Sequence, residues 1–189
     1  MIAASLQVGA NAQVVDFEDL SGGSNFGSYI SYGDTITSDG FMFVSQGGSN
    51  DTFGSFTPSS PYYTGTTAVY TQTNNNPLLV MTRVGGGTFN VSSIGLADID
   101  LGNTVQTVTF TPNVGSAQTI VMTNPTSITD YALSFTGITS LQFSAGSNYL
   151  YQIDNIHVPS GTPEPFTMGL GIAGIGLAVR RRMKAKTDT

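Results

Sequence analysis

The segment TVQTVTFTPNVGSAQTIVM, residues 104–122, holds two runs of Thr, Val, Ile and Phe on either side of Pro112-Asn113-Val114-Gly115-Ser116. β-Branched and aromatic residues fit a pleated strand, while Pro, Asn, Gly and Ser supply the backbone angles of a tight reversal. The segment therefore reads as a β-hairpin turning at Pro112 to Ser116. The same pattern recurs on both sides of it. FMFV at 41–44 is apolar on both faces, as in a covered central strand, and LLVM at 78–81, FNVSSIGL at 89–96, LQF at 141–143 and YLYQIDNIHV at 149–158 add further strands. No sustained period of 3.6 residues runs between Gln13 and Val158, so helix is excluded from most of the chain. Eight or more strands in about 145 residues favour an all-β fold, a jelly-roll-type β-sandwich.

Residues 45–66 differ from the strands around them. Turn-forming residues occur throughout, with Phe53, Phe56, Tyr62 and Tyr63 among them, and the interval reads as one long loop on the sheet scaffold. Its rings either fold back over an open end of the sandwich or, at Tyr62 and Tyr63, offer a stacking surface to a glycan.

Composition narrows the function. Charged residues are 10% of the chain, and residues 13–162 contain ten Asp or Glu against a single cation, Arg83, while five of the six Lys and Arg fall within 180–186. An acidic body with one arginine cannot gain from counterion release, which excludes a nucleic-acid role. The absence of cysteine removes disulfides, thiolate metal sites and cysteine nucleophiles. His157 is the only histidine, so an imidazole-based zinc site is excluded, and it reads as a solvent-facing strand residue. There is no G-x-S-x-G elbow, and no pair of carboxylates stands out for glycoside hydrolysis. Asp98 and Asp100 read as a solvated strand end. Arg83 pairs with an acid or covers apolar surface with its stem. No catalytic residue is assigned, and the chain is not read as an enzyme.

Both ends carry sorting features. Residues 1–12, MIAASLQVGANA, are small and apolar and end in Ala10-Asn11-Ala12, a small-x-small cleavage pattern, and are read as the remnant of a signal peptide. The β-sandwich domain then covers 13–160. In the tail, 161–189, Phe166 to Val179 is 14 residues without a charge. As a helix it would span about 21 Å, short of the ~30 Å hydrocarbon core, which suits transient membrane insertion better than permanent anchoring. The cationic run that follows it is of the kind that stops transfer on the cytoplasmic side.

Pro163-Glu164-Pro165, the short Gly/Ala/Leu-rich segment and Arg180-Arg181-Arg182 together resemble the PEP-CTERM sorting domain of exopolysaccharide-producing Gram-negative and related bacteria. Residues 183–189 extend past the arginine cluster, longer than that family's usual abrupt end. The resemblance implies a membrane-embedded exosortase as partner, a short C-terminal hydrophobic helix, and delivery to the cell surface or extracellular matrix.

The body has its own resemblance. In VVDFEDL, Val15 and Phe17 share one face by the two-residue period and Asp16 and Glu18 the other. In the last strand the alternation of Tyr149, Tyr151 and Ile153 slips to Ile156 and Val158, which places either a bulge or a self-bonded turn pair at Asp154-Asn155. DFE near the start and IDNI near the end resemble the carbohydrate-binding-module-like jelly rolls, whose first and last strands meet. That resemblance implies a structural calcium, with Glu18 and Asp154 as ligands and Asp16 as a third. The expected function is an exported, non-catalytic component of the biofilm or exopolysaccharide matrix with weak glycan binding. The alternative is a secreted carbohydrate-active enzyme or its accessory carbohydrate-binding domain. A third reading is a building block that associates edge to edge through uncharged strands.

Overall fold

The hairpin that anchors the reading is present. Strand β10 (Gln106–Pro112) pairs antiparallel with β11 (Gln118–Met122), and Gly115 makes the reversal at φ 100°. The computed structural model describes residues 12–46, 52–71, 78–99, 106–122, 127–145 and 151–160. Its other strands are β1 (Gln13–Val15), β2 (Ser24–Asn25), β3 (Tyr29–Gly33), β4 (Thr35–Ser38), β5 (Phe41–Gln46), β6 (Phe53–Phe56) and β7 (Val69–Thr71). There follow β8 (Leu78–Arg83), β9 (Phe89–Asp98), β12 (Thr129–Ile138), β13 (Ser140–Ala145) and β14 (Tyr151–Val158). No helix occurs among the described residues, and the signal-like and sorting segments, with the expected C-terminal helix, lie outside them.

The strands form two antiparallel sheets. An eight-stranded sheet runs β12-β9-β14-β7-β6-β3-β2, with β1 also on β14, and a six-stranded sheet runs β11-β10-β13-β8-β5-β4. This is the jelly-roll-type sandwich expected, with the first and last strands joined: Gln13, Val14 and Val15 lie opposite Val158, His157 and Ile156. Alternation along each strand sends one set of side chains into the space between the sheets. Phe17, Phe41, Phe43, Phe53, Phe110 and Phe143 are completely buried there. Phe110 and Phe143 are direct cross-strand partners and meet edge to face at 5.2 Å, a geometry that aromatic quadrupoles favour.

Three differences from the sequence reading bear on the site. Phe41–Val44 is not covered on both faces: Phe41 and Phe43 are buried, but Met42 is 37% exposed, because strand β5 lies next to the edge and no described strand is stacked outside it. The interval 45–66 is not one loop, since it contains β6, which pairs with β3 and β7. Strand β4 also escaped the reading, although Asp39-Gly40, at φ 50° and 77°, is the two-residue reversal that the Asp-Gly dipeptide signals.

Edge-to-edge growth is opposed along β12, where two register breaks interrupt the ladder. The Ser134 amide there is taken by the Gln118 side chain of β11 at 3.1 Å, and the Gln118 amide nitrogen donates to Ser134 Oγ at 2.5 Å. That side chain ties the two sheets at their border.

Candidate functional site

Strands β1 and β7 lie along the same side of β14, with Val15 opposite Ile156 and Val69 opposite Ile153. Asp154-Asn155 falls between the two pairings. Against β9 the register slips between Asp154 and His157, and Asn155 sits at φ 47°, so the expected bulge is present. The self-bonded pair is present as well, because Asp154 Oδ1 accepts the Asn155 N–H at 2.8 Å.

Two loops close over this junction. Asp154 Oδ2 accepts from Thr66 Oγ1 at 2.6 Å. Glu18 Oε1 accepts the Thr67 N–H and Oε2 the Thr67 hydroxyl, both at 2.8 Å. Glu18 and Asp154 thus hold adjacent residues of the loop that leads into β7.

The expected strand alternation of Asp16 and Glu18 is not how these acids are placed. Strand β1 stops at Val15, and Phe17 takes φ 59°, a conformation that costs a bulky residue on the order of 1 kcal/mol. Phe17 reaches the core anyway, 5.1 Å from Phe43, so burial of its ring holds the turn. Asp16 Oδ1 accepts the Glu18 N–H at 3.1 Å, which directs the Glu18 side chain away toward Thr67.

Asp154 is completely buried. Burial pushes its carboxyl above the ordinary 3.8; the Thr66 and Asn155 hydrogen bonds pull it back, and the charges of Glu18 and Asp16 push it up again. The charges of Glu18 and Asp16 thus act on Asp154, but the expected ligand set of Asp16, Glu18 and Asp154 is not assembled as a metal-holding group among the described residues. No group of three or more His, Cys, Asp or Glu among the described residues is spaced to hold a metal by itself. The remaining oxygens at this junction are hydroxyls and backbone carbonyls.

A neighbouring acid is stabilised rather than stressed. Asp19 Oδ1 accepts from the buried Ser38 hydroxyl at 2.5 Å and Oδ2 accepts the Asp39 N–H at 3.0 Å, which lower its carboxyl below 3.8. This clamp fixes the β4–β5 reversal against the chain leaving β1.

On the same sheet lies an aromatic band. Phe53, Val69 and Ile153 point inward, so their neighbours Phe56, Tyr70, Gln152 and Asp154 point outward. Tyr29 lies directly opposite Phe56 and shares that outer face. Phe56 stacks on Tyr70 at 4.4 Å and 9°, and meets Tyr62 at 5.2 Å. Phe26 stacks on Tyr29 at 5.1 Å and is 59% exposed. Gly54, opposite Ser31 and Tyr70, adds no side chain between the rings. The Tyr62 carbonyl accepts from the buried Gln152 amide at 3.1 Å, so β14 positions the Tyr62 loop against this face.

Of the two tyrosines expected to contact glycan, Tyr62 joins the band through Phe56, and Tyr63 is 37% exposed on the same loop. Phe26 and Tyr29 escaped the reading because aromatics three residues apart in a Gly/Ser/Asn stretch do not follow the two-residue period of a strand; only strand pairing aligns them. Asp98 is the contrary case. It is buried rather than solvated, on the inner side opposite Tyr151, where it accepts from the Gln106 amide, while Asp100 lies outside the described residues. Arg83 covers apolar surface as expected, its guanidinium 5.7 Å over the Phe41 ring, with Nη1 donating to the Thr88 carbonyl. His157 is half-buried between Val14 and Ser93. Pro163, Glu164, Pro165, Arg180, Arg181 and Arg182 lie outside the described residues, and no helix among the described residues is long and apolar enough to cross a membrane.

No family model matches this chain, and no curated protein does. Among solved structures it is similar to the CBM22-1–GH10 modules of Clostridium thermocellum endo-1,4-β-D-xylanase 10B, determined with xylohexaose, at 14% identity and a TM-score of 0.32. The match covers 79% of this chain and 28% of the xylanase chain.

Proposed function

We propose that this chain is an exported, non-catalytic β-sandwich of the extracellular or exopolysaccharide matrix that binds glycan on the outer face of its eight-stranded sheet. The observation that carries this reading is the pair of aromatic stacks on this face, Phe26 on Tyr29 and Phe56 with Tyr62 and Tyr70, on strands that pair at Tyr29 and Phe56. Sugar rings present axial C–H groups that pack on aromatic faces, and the rings here are partly exposed and anchored by one another. The Pro163-Glu164-Pro165 motif and the arginine cluster support delivery through an exosortase-type enzyme, with the tail in the membrane during sorting and the body then at the cell surface or in the matrix.

Calcium is the cofactor proposed for the Glu18–Asp154 junction. The donor set is all oxygen, two carboxylates with the Thr66 and Thr67 hydroxyls beside them, and a hard cation would relieve the repulsion that Glu18 and Asp16 impose on buried Asp154. Glu18 and Asp154 would be ligands, with Asp16 a more distant contributor and backbone oxygens completing the shell.

Affinity electrophoresis of the chain in gels of neutral polysaccharides tests the glycan reading. Retardation that Phe26→Ala and Tyr29→Ala each weaken about five- to tenfold, the scale of one lost aromatic contact, is the expected result. Binding untouched by either substitution would remove the band from the account.

A further inference from the structure

Among the described residues, the outer face of the six-stranded sheet carries no charge. Every outward position on β4, β5, β8, β10, β11 and β13 is Thr, Ser, Gln, Met, Val or Leu. Arg83, at the end of β8, belongs to the other side, opposite Phe41 and over its ring. At the centre, Val44 and Val80 are direct partners, with Met42 and Leu78 adjoining them. Around them stand hydroxyls in register, as where Thr109 lies between Thr119 and Ser144. Met42 is 37% and Val121 55% exposed.

We propose that this face is a self-association surface, occupied by the same face of a second copy of this chain. Charge singles out the partner. Residues 13–162 hold ten acids against one cation, so two copies repel wherever acidic surfaces meet, and this sheet face is where they can approach without opposing charges. Shape agrees. Two identical twisted sheets pack face to face at about 10 Å with their strands about 30° apart, and pairing a face with itself closes a two-fold dimer. The absence of aromatic rings leaves the face without the stacking groups a glycan uses, in contrast to the opposite sheet. Size sets the strength. Six strands about 4.8 Å apart and about five residues long give roughly 400 Å² per copy, or about 800 Å² in all. This is below the ~1,200 Å² of stable complexes and marks a weak contact, formed at high local concentration.

Sedimentation velocity of the full chain over a hundredfold concentration range tests the proposal. The expected result is a reversible monomer–dimer equilibrium that strengthens as salt screens the acidic bodies. Val80→Glu should weaken it at least tenfold, and Thr109→Glu, at a half-buried position of the same face, should do so with a thermal melt that still shows one cooperative transition. Thr136→Glu, exposed on the other sheet, should leave it intact. A chain monomeric throughout overturns the proposal. So does a dimer indifferent to Thr109→Glu, or one abolished by deleting residues 163–189 but not by the face variants, since the tail would then be the contact.

Discussion

The eight-stranded sheet turns Tyr29, Phe56, Gln152 and Asp154 outward, whereas the six-stranded sheet turns Met42, Val44, Val80 and Thr109 outward. Both sheets bury the same kind of inner surface, so the core does not explain the difference. On the first sheet, loops return over the outer face and are fastened there by Glu18, Asp154 and Gln152. On the second, the described strands connect at their ends. Covering a face with loops requires polar groups to hold them and leaves grooves with fixed side chains, which suits recognition. An uncovered face only needs to be uncharged to stay open to a like surface.

The comparison breaks most visibly at Gly95. A Cβ there would lie 2.6 Å from Ile128 Cγ2 and 2.9 Å from the Asp154 backbone oxygen, and the backbone cannot yield without disturbing β14. Gly95→Val should therefore lower stability by about 3 kcal/mol or more in urea unfolding. A loss below about 1 kcal/mol would show the covered face to be looser than described.

Calcium should raise the melting temperature of the unmodified chain relative to chelator. Free ion at about 100 times its dissociation constant adds roughly 2.7 kcal/mol if only the folded state binds. Asp154→Ala should abolish the rise and, in chelator, cost about 1–3 kcal/mol by leaving the Thr66 hydroxyl without its acceptor. An equal rise in the variant would place the ion elsewhere.

The two carboxyls of this region should pull stability in opposite directions with pH in metal-free buffer. The Asp154 carboxyl is raised above 3.8, so its ionised form destabilises the fold above the folded value, and that penalty fades as pH falls toward 3.8. Asp19 is lowered, so it contributes stability above 3.8 that is lost as pH falls through its depressed folded value. Melting temperature should thus pass through a maximum on the acid side of neutrality. Asp154→Asn should flatten the upper limb and Asp19→Asn the lower; a profile unchanged by either would contradict the assignment.

At the border between the sheets, Gln118→Ala should cost about 1 kcal/mol by exposing the Ser134 amide, measured by the same unfolding assay. Thr109→Ala on the uncovered face should change stability by less than about 0.5 kcal/mol, the smallest effect of the series.

Legibility followed sequence distance. The hairpin 104–122 was readable because both strands and the turn are contiguous, and the slip at Asp154-Asn155 was readable because it breaks the local alternation. Strand β6 was not, since FGSF sends only Phe53 and Ser55 inward and its partners are supplied by distant segments. Likewise Thr66 and Thr67 gave no signal, as they meet acids 88 and 49 residues away. Asp98 read as solvated because its burial depends on which side of β9 faces the other sheet, a choice that a short Asp-x-Asp run before Gly and Asn does not reveal.

By itself the sequence determined the all-β class, most of the strands and the acidic body, because propensity, alternation and composition act over a few neighbouring residues. Tertiary structure decided which outer face carries rings and which carries only hydroxyls and aliphatics. It also decided that Glu18 and Asp154 hold one loop between them. Those outcomes depend on strand order and register, which are set by packing the whole core at once, and no local stretch of the chain contains them.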